Sequence, residues 1–141
     1  MTNSVLRTGS EGWRRLAVFL EAIKFEHSVF ALPFAVLAAF ISASGWPSMA
    51  GLAWVLVAMV GMRTFGMAAN RLIDAEIDAR NPRTATRAIP TGAISRRAMT
   101  GYMLVAGLVF VVATSQLDSV TWPLAPIPLA VMIGYPYLKR I

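Results

Sequence analysis

The chain has 141 residues, 57% hydrophobic and 14% charged, with a net charge of +6 and a mean hydropathy of +0.61. A water-soluble domain carries roughly a quarter charged residues, and the apolar residues here come in blocks rather than on one helical stripe, so the composition points to an integral membrane protein. The bases flank apolar blocks without interleaved aromatics, which argues against a nucleic-acid partner, and the lack of cysteine excludes disulfides, thiolate metal sites and a cysteine nucleophile.

Residues 1–10 are polar and are expected to be disordered. From Glu11 to Lys24, Trp13, Leu16, Ala17, Leu20 and Ile23 recur at helical spacing, opposite Arg14, Arg15, Glu21 and Lys24. This predicts a short amphipathic helix that either lies on a membrane surface or leads from the cytosol into a span. The uncharged run from about Ser28 to Ser44 predicts a first span, with Pro33 near its start. The small residues Ser42 to Gly45 loosely resemble a signal-peptide cleavage site, but the run is too long, and too much polar sequence precedes it, for that reading. Trp46-Pro47-Ser48 forms a turn. A second span is predicted from about Ala50 to Ala69. Its helix is expected to continue to about Arg80, projecting roughly 15 Å past the bilayer surface at 1.5 Å per residue. Asn81-Pro82 ends that helix, residues 81–94 form a loop, and Ser95 is a candidate N-cap. A third span is expected over about 98–116, followed by a turn holding Asp118. A fourth, over about 120–138, carries Pro123, Pro126, Pro128 and Pro136 and must be bent or broken. The expected fold class is all-α: a helical membrane bundle of four transmembrane helices plus an N-terminal amphipathic helix.

The turns at 46–49 and 117–121 contain no Lys or Arg, whereas the N-terminal segment has four bases, residues 70–97 six and the C-terminus two, leaving only Arg63 inside a span. By the positive-inside rule both termini are cytoplasmic. Residues 70–97 and the Tyr135–Arg140 tail then meet at the same membrane face.

The polar run Asn70 to Gly92, NRLIDAEIDARNPRTATRAIPTG, separates two apolar segments. Asn70, Asp74 and Asp78 fall four residues apart and stack on one helical face. Three oxygen donors in a column suit a hard cation such as Mg²⁺. Arg83 and Arg87 follow, and two guanidiniums facing two carboxylates across a metal would clamp a diphosphate. The alternative is a solvated helix end, with Asp74 and Asp78 paired to Arg71 and Arg80 and the loop arginines only setting topology. Arg63, deep in an apolar run, requires a partner, a water-filled cavity or a snorkelling conformation, because an unpaired arginine there costs about 2.5–3.5 kcal/mol. Arg71 is a further cavity candidate. Glu76 points away from the column and reads as a surface charge. His27 reads as an interfacial anchor rather than a catalytic base. Tyr135 and Lys139, four apart, either anchor the interface or serve the site.

The pattern N-x-x-x-D-x-x-x-D followed by R-T-x-x-R, on Asn70, Asp74, Asp78, Arg83, Thr84 and Arg87, resembles the first aspartate-rich motif of the UbiA superfamily of membrane prenyltransferases. FEHSVFALPFA (Phe25 to Ala35) is similar to the start of the first helix in bacterial members acting on 4-hydroxybenzoate or a related aromatic acid. GYPYLKR (Gly134 to Arg140) is similar to the end of the fourth helix. The resemblance implies transfer of a polyprenyl group from polyprenyl diphosphate to an aromatic acceptor in ubiquinone or menaquinone biosynthesis, at a bacterial-type inner (cytoplasmic) membrane. It implies that Asn70, Asp74 and Asp78 hold Mg²⁺, that Arg83, Arg87 and Lys139 neutralise the leaving diphosphate, and that Tyr135 lies near the reacting allylic carbon. The family's second aspartate-rich motif has no counterpart, since Asp118 is the only acid after Asp78 and is predicted on the opposite face. The chain is therefore expected to be the N-terminal portion of such an enzyme, from a truncated or split gene or a partial sequence, and inactive without its other half. Two readings compete. A CDP-alcohol phosphotransferase also carries helical carboxylates four apart, but its D-G and A-R context is missing. A small non-catalytic membrane protein would use Arg63 and the acids as an ion path or assembly contact.

Overall fold

A computed structural model describes residues 3–24 and 28–138, with side chains from residue 12 onward. Among the described residues the regular structure is entirely helical: α1 (Asn3–Ala22), α2 (Ser28–Ser42), α3 (Met49–Ile73), α4 (Ala75–Arg80), α5 (Arg96–Ser115), α6 (Thr121–Leu124) and α7 (Pro126–Leu138).

Helix α1 begins at Asn3, within the stretch expected from its polarity to be disordered. The stretch contains no proline, and a helix nucleated over the periodic residues 13–23 extends at little cost once its first turns exist. Its apolar face turns inward only at the C-terminal end. Phe19 and Ile23 are buried with Ala68, Ile94 and Met99, and the Phe19 ring lies 4.2 Å from that of Tyr102. Trp13 stays 73% exposed. One end of α1 is thus built into the protein while its tryptophan end projects.

Helix α2 is two residues shorter than predicted, because Ser44 and Gly45 turn to φ values of 51° and 157°. Its 15 residues span about 22 Å at 1.5 Å per residue, short of the ~30 Å hydrocarbon core. Among the described residues two helices, α3 with 25 residues and α5 with 20, are long and apolar enough to cross a membrane unaided. Ser48 caps α3 by accepting a hydrogen bond from the Gly51 N–H at 3.0 Å, and Ser95 caps α5 by accepting from the Ala98 N–H at 3.1 Å, as its sequence position suggested.

The helix expected to run unbroken to Arg80 divides at Asp74, whose φ of −86° and ψ of 0° separate α3 from α4. The change is local, since the Asp74 N–H still donates to the Asn70 carbonyl at 2.9 Å and the Asp78 N–H to the Asp74 carbonyl at 2.8 Å. Aspartate is a poor interior helix former, and this one is buried. The proline-rich segment breaks as anticipated, into α6 and α7, with Pro126 as the first residue of α7, where its missing N–H is not needed.

Helix α3 is central and packs against α5, α2 and α7. Its seam with α5 is lined by small residues. A β-carbon on Gly61 would meet the Phe110 nitrogen at 3.0 Å and the Ala106 carbonyl oxygen at 3.1 Å, and one on Gly107 would meet the Phe65 ring at 3.1 Å. This is the close backbone approach by which helices associate in lipid, where apolar burial alone gives little drive. Gly66 leaves room for the Met132 side chain of α7, whose sulfur a β-carbon there would meet at 2.8 Å. The outer faces remain apolar, with Phe30, Phe34, Leu37 and Ile41 forming an exposed stripe on α2 and Leu104 and Leu108 exposed on α5.

Candidate functional site at the end of α3

The site forms where α3 passes into α4. Asp74 and Asp78 are buried, at 4% and 5% exposure, and Asn70 is half-buried. Carboxylates are buried only when something compensates their charge. Asp78 is compensated by Arg87, whose Nη1 lies 2.6 Å from Oδ1 and 2.7 Å from Oδ2. Both acids also lie in the electrostatic field of Arg71.

The loop after α4 delivers Arg87 to that position. The Asn81 side chain accepts from the Arg83 N–H at 3.0 Å, an Asx-type turn that reverses the chain after the helix. The Thr84 and Ala85 N–H groups donate to the Asn81 carbonyl at 2.9 Å, and the Arg87 N–H donates to the Thr84 carbonyl at 3.0 Å. Thr84 is buried, and its hydroxyl donates to the Asp78 carbonyl at 3.0 Å, a helix-end acceptor that also takes the Asn81 N–H at 3.3 Å. Thr84 stands out in the sequence only as a motif letter. Its role as the stitch between α4 and the loop follows from the fold, though an Asn-Pro helix stop followed two residues later by threonine is a readable sign of such a turn.

The bland pairing of the acids with Arg71 and Arg80 is replaced in part. Asp78 takes Arg87, while the Arg71 Nε donates to the Ala22 carbonyl at 2.9 Å and ties the end of α1 to α3. Arg71, Arg83 and Arg87 line a cavity of about 510 Å³ beneath the end of α1, together with Lys24 and Glu21; none of Asn70, Asp74 and Asp78 lines it. Arg63 has a buried Nε with no hydrogen-bond acceptor among the described residues. At 100° per residue it lies in the same arc of α3 as Asn70. Glu76 is the surface charge expected, exposed and 3.4 Å from Arg96. Tyr135 lies one turn beyond the Met132–Gly66 contact and is 59% exposed, and the structure shows no bond between it and the acids. Lys139 and His27 lie outside the described residues.

Asp118 sits at the far end of α5 from Glu76 and Arg96. It accepts from the Val120 N–H at 2.8 Å, the Thr121 N–H at 2.7 Å and the Thr121 hydroxyl at 2.8 Å. The bonds from Thr121 and Val120 hold its carboxyl below the usual range. It serves the turn into α6 and cannot join the acids of α3.

Among the described residues no group of three or more His, Asp or Glu side chains converges. The donor set is two carboxylates and one amide oxygen on one helical face. That suits part of the six-oxygen shell of Mg²⁺, an ion that usually keeps waters and takes substrate phosphates as its other ligands.

The UbiA prenyltransferase family model matches residues 31–141. A 4-hydroxybenzoate octaprenyltransferase of Paracidovorax citrulli is 34% identical over 131 residues, covering 89% of this chain and 44% of the relative. Another from Photobacterium profundum is 33% identical over 103 residues, covering 73% and 36%. The apo structure of a UbiA homolog from Aeropyrum pernix K1 superposes with a TM-score of 0.76 at 35% identity, over 82% of this chain and 42% of that one. The chain thus spans less than half the length of each of these relatives.

Proposed function

The chain belongs to the UbiA prenyltransferase family, and on that premise we propose that it supplies the first half-site for moving a polyprenyl group from its diphosphate to an aromatic acid such as 4-hydroxybenzoate, in quinone biosynthesis. The observation that carries this is the pair of buried acids, Asp74 and Asp78, with a loop arginine chelated to one of them.

Asn70, Asp74 and Asp78 would hold the magnesium ion. When bound there, the ion supplies positive charge to the oxygens of a departing diphosphate. Arg87 is preorganised beside those oxygens because the Asn81–Thr84 turn aims it at Asp78, and it uses only Nη1 to do so. Its remaining N–H groups, which bond no described side chain, would neutralise the leaving group, with Arg83 in the same loop and Lys139 four residues after Tyr135. Tyr135 would flank the allylic carbon while the low-dielectric interior keeps water away. Arg63, with its Nε buried and unbonded, is the group of this chain suited to the acceptor's carboxylate.

The proposed setting is a bacterial inner membrane, with four spans (α2, α3, α5 and the broken α6–α7), cytoplasmic termini, and the projecting end of α1 on the inner leaflet. The other half of the enzyme would supply the second set of metal ligands, so the 141 residues alone would be inactive. To test this, the chain is extended after residue 141 with the C-terminal portion of the Paracidovorax relative and assayed for transfer from octaprenyl diphosphate to 4-hydroxybenzoate. Activity that needs Mg²⁺ and vanishes with Asp74→Asn supports the reading. Transfer by the unextended chain, or an active Asp74→Asn hybrid, overturns it.

A further inference from the structure

The apolar stripe of α1 is used on one edge only. At 100° per residue, Phe19, Leu16 and Trp13 span an arc of about 120°. The edge at Phe19, continued by Ile23, is buried with Ala68, Ile94 and Met99. The other edge is bare. Trp13 is 73% and Leu16 39% exposed, and every residue from Gly12 to Ala17 is exposed.

Arginines flank that bare edge. Arg14 lies about 100° beyond Trp13 on one side, and Arg15 about 100° beyond Leu16 on the other; both are exposed. Arg15 also lines a hollow of about 270 Å³ with Ser95, Ala98 and Tyr102, and Arg97 is exposed in the first turn of α5. None of these three arginines has an acidic partner among the described residues, and the first 24 residues hold four bases against two acids. An apolar edge with a base on either side suits a helix lying in a headgroup layer. The indole and leucine enter the acyl boundary while the guanidiniums reach up to the lipid phosphates. The excess of positive charge selects a leaflet of negative sign.

The direction of the bare edge is fixed by the rest of α1. The Phe19 and Tyr102 rings lie 4.2 Å apart, and the Arg71 Nε donates to the Ala22 carbonyl at 2.9 Å. The last turns of α1 are thereby held to α5 and α3, and the turns before them carry Trp13 outward.

We propose that the free half of α1 is a docking surface for an anionic phospholipid leaflet, which it selects by headgroup charge. The inference rests on the inner-leaflet placement proposed above and adds what α1 recognises there. Its residues, Trp13 to Leu16 with Arg97, are separate from Asn70, Asp74, Asp78 and the loop arginines.

The test uses the full 141-residue chain, which has no cysteine, with Ala17→Cys carrying a fluorophore. Ala17 lies one turn after Trp13 on the same face. The protein is placed in nanodiscs of phosphatidylcholine, with or without phosphatidylglycerol, each containing a nitroxide-labelled lipid. Both faces of a disc carry the same lipids, so the direction of insertion does not affect the readout. Quenching by the labelled lipid is expected in the phosphatidylglycerol discs and should weaken as salt is raised. Arg14→Gln with Arg15→Gln should lower the docked-to-undocked ratio about thirtyfold there, the worth of two charges at about 1 kcal/mol each, and change little in phosphatidylcholine alone. Trp13→Ser should lower it in both lipids. Quenching that is equal in both lipids and indifferent to the arginine pair overturns the proposal. So does a fluorophore that the lipid label never quenches: self-quenching would then put a second copy on this surface, and full exposure to a water-soluble quencher would put it in solvent. Neither magnesium nor diphosphate enters the assay, so failure here leaves the prenyl-transfer reading standing, and an inactive hybrid enzyme leaves this surface standing.

Discussion

Replacing Arg87 by methionine removes one charge of the buried pair and keeps most of the side chain's length. Asp78 would be left at 6% side-chain exposure with both oxygens stripped of a donor now 2.6 and 2.7 Å away. Losing one partner of a buried ion pair costs 3–5 kcal/mol, and because Arg87 itself is 34% exposed, so that water can reach the gap, the lower end applies: about 3 kcal/mol. Asp78→Asn should cost less, about 1 kcal/mol, since Arg87 can turn to solvent. The double variant leaves no unpaired charge, so it should cost about 2 kcal/mol, a coupling of about 2 kcal/mol in the cycle. Reversible unfolding in mixed micelles, followed by circular dichroism in EDTA, measures all four proteins. Mg²⁺ at a hundred times its dissociation constant should then restore about 2.7 kcal/mol to Arg87→Met and nothing to the double variant, if Asp78 is a ligand. A coupling below about 0.5 kcal/mol would show that the pair carries no weight in the fold, and equal Mg²⁺ recovery in both would remove Asp78 from the metal site.

Gly61→Ala should destabilise the α3–α5 seam by about 1–3 kcal/mol, because the new β-carbon meets backbone atoms at 3.0 and 3.1 Å that cannot swing aside. Gly101→Ala on α5, which meets nothing within 4 Å, should instead stabilise by about 0.5–1 kcal/mol; the same unfolding assay reads both, and equal signs would contradict the packing. The turn after α5 should weaken in acid. The folded pKa of Asp118 is depressed, so its contribution is present above the unfolded pKa and fades as pH falls through the folded one. The protection of the Val120 and Thr121 amides, measured against their intrinsic exchange rate at each pH, should therefore fall at low pH, and Asp118→Asn should flatten that dependence.

Much of this molecule can be read along the chain. Blocks of apolar residues long enough to cross lipid, the Ser48 and Ser95 caps, the proline-broken last segment and the N-x-x-x-D-x-x-x-D spacing all depend on neighbours within a few turns, where helical periodicity and propensity act. The start of α1 escapes such a reading because polarity says little about whether a helix, once nucleated, will extend. Other features needed the folded chain. Which arginine Asp78 chooses, Arg87 rather than Arg80, depends on a loop reversal stitched by Asn81 and Thr84. The burial of Phe19 and Ile23, the tie from Arg71 to Ala22 and the cationic cavity beside it depend on α1 packing back over residues more than forty positions away. Such contacts arise from shape and charge meeting across distance in the chain, which no local pattern of residue types encodes.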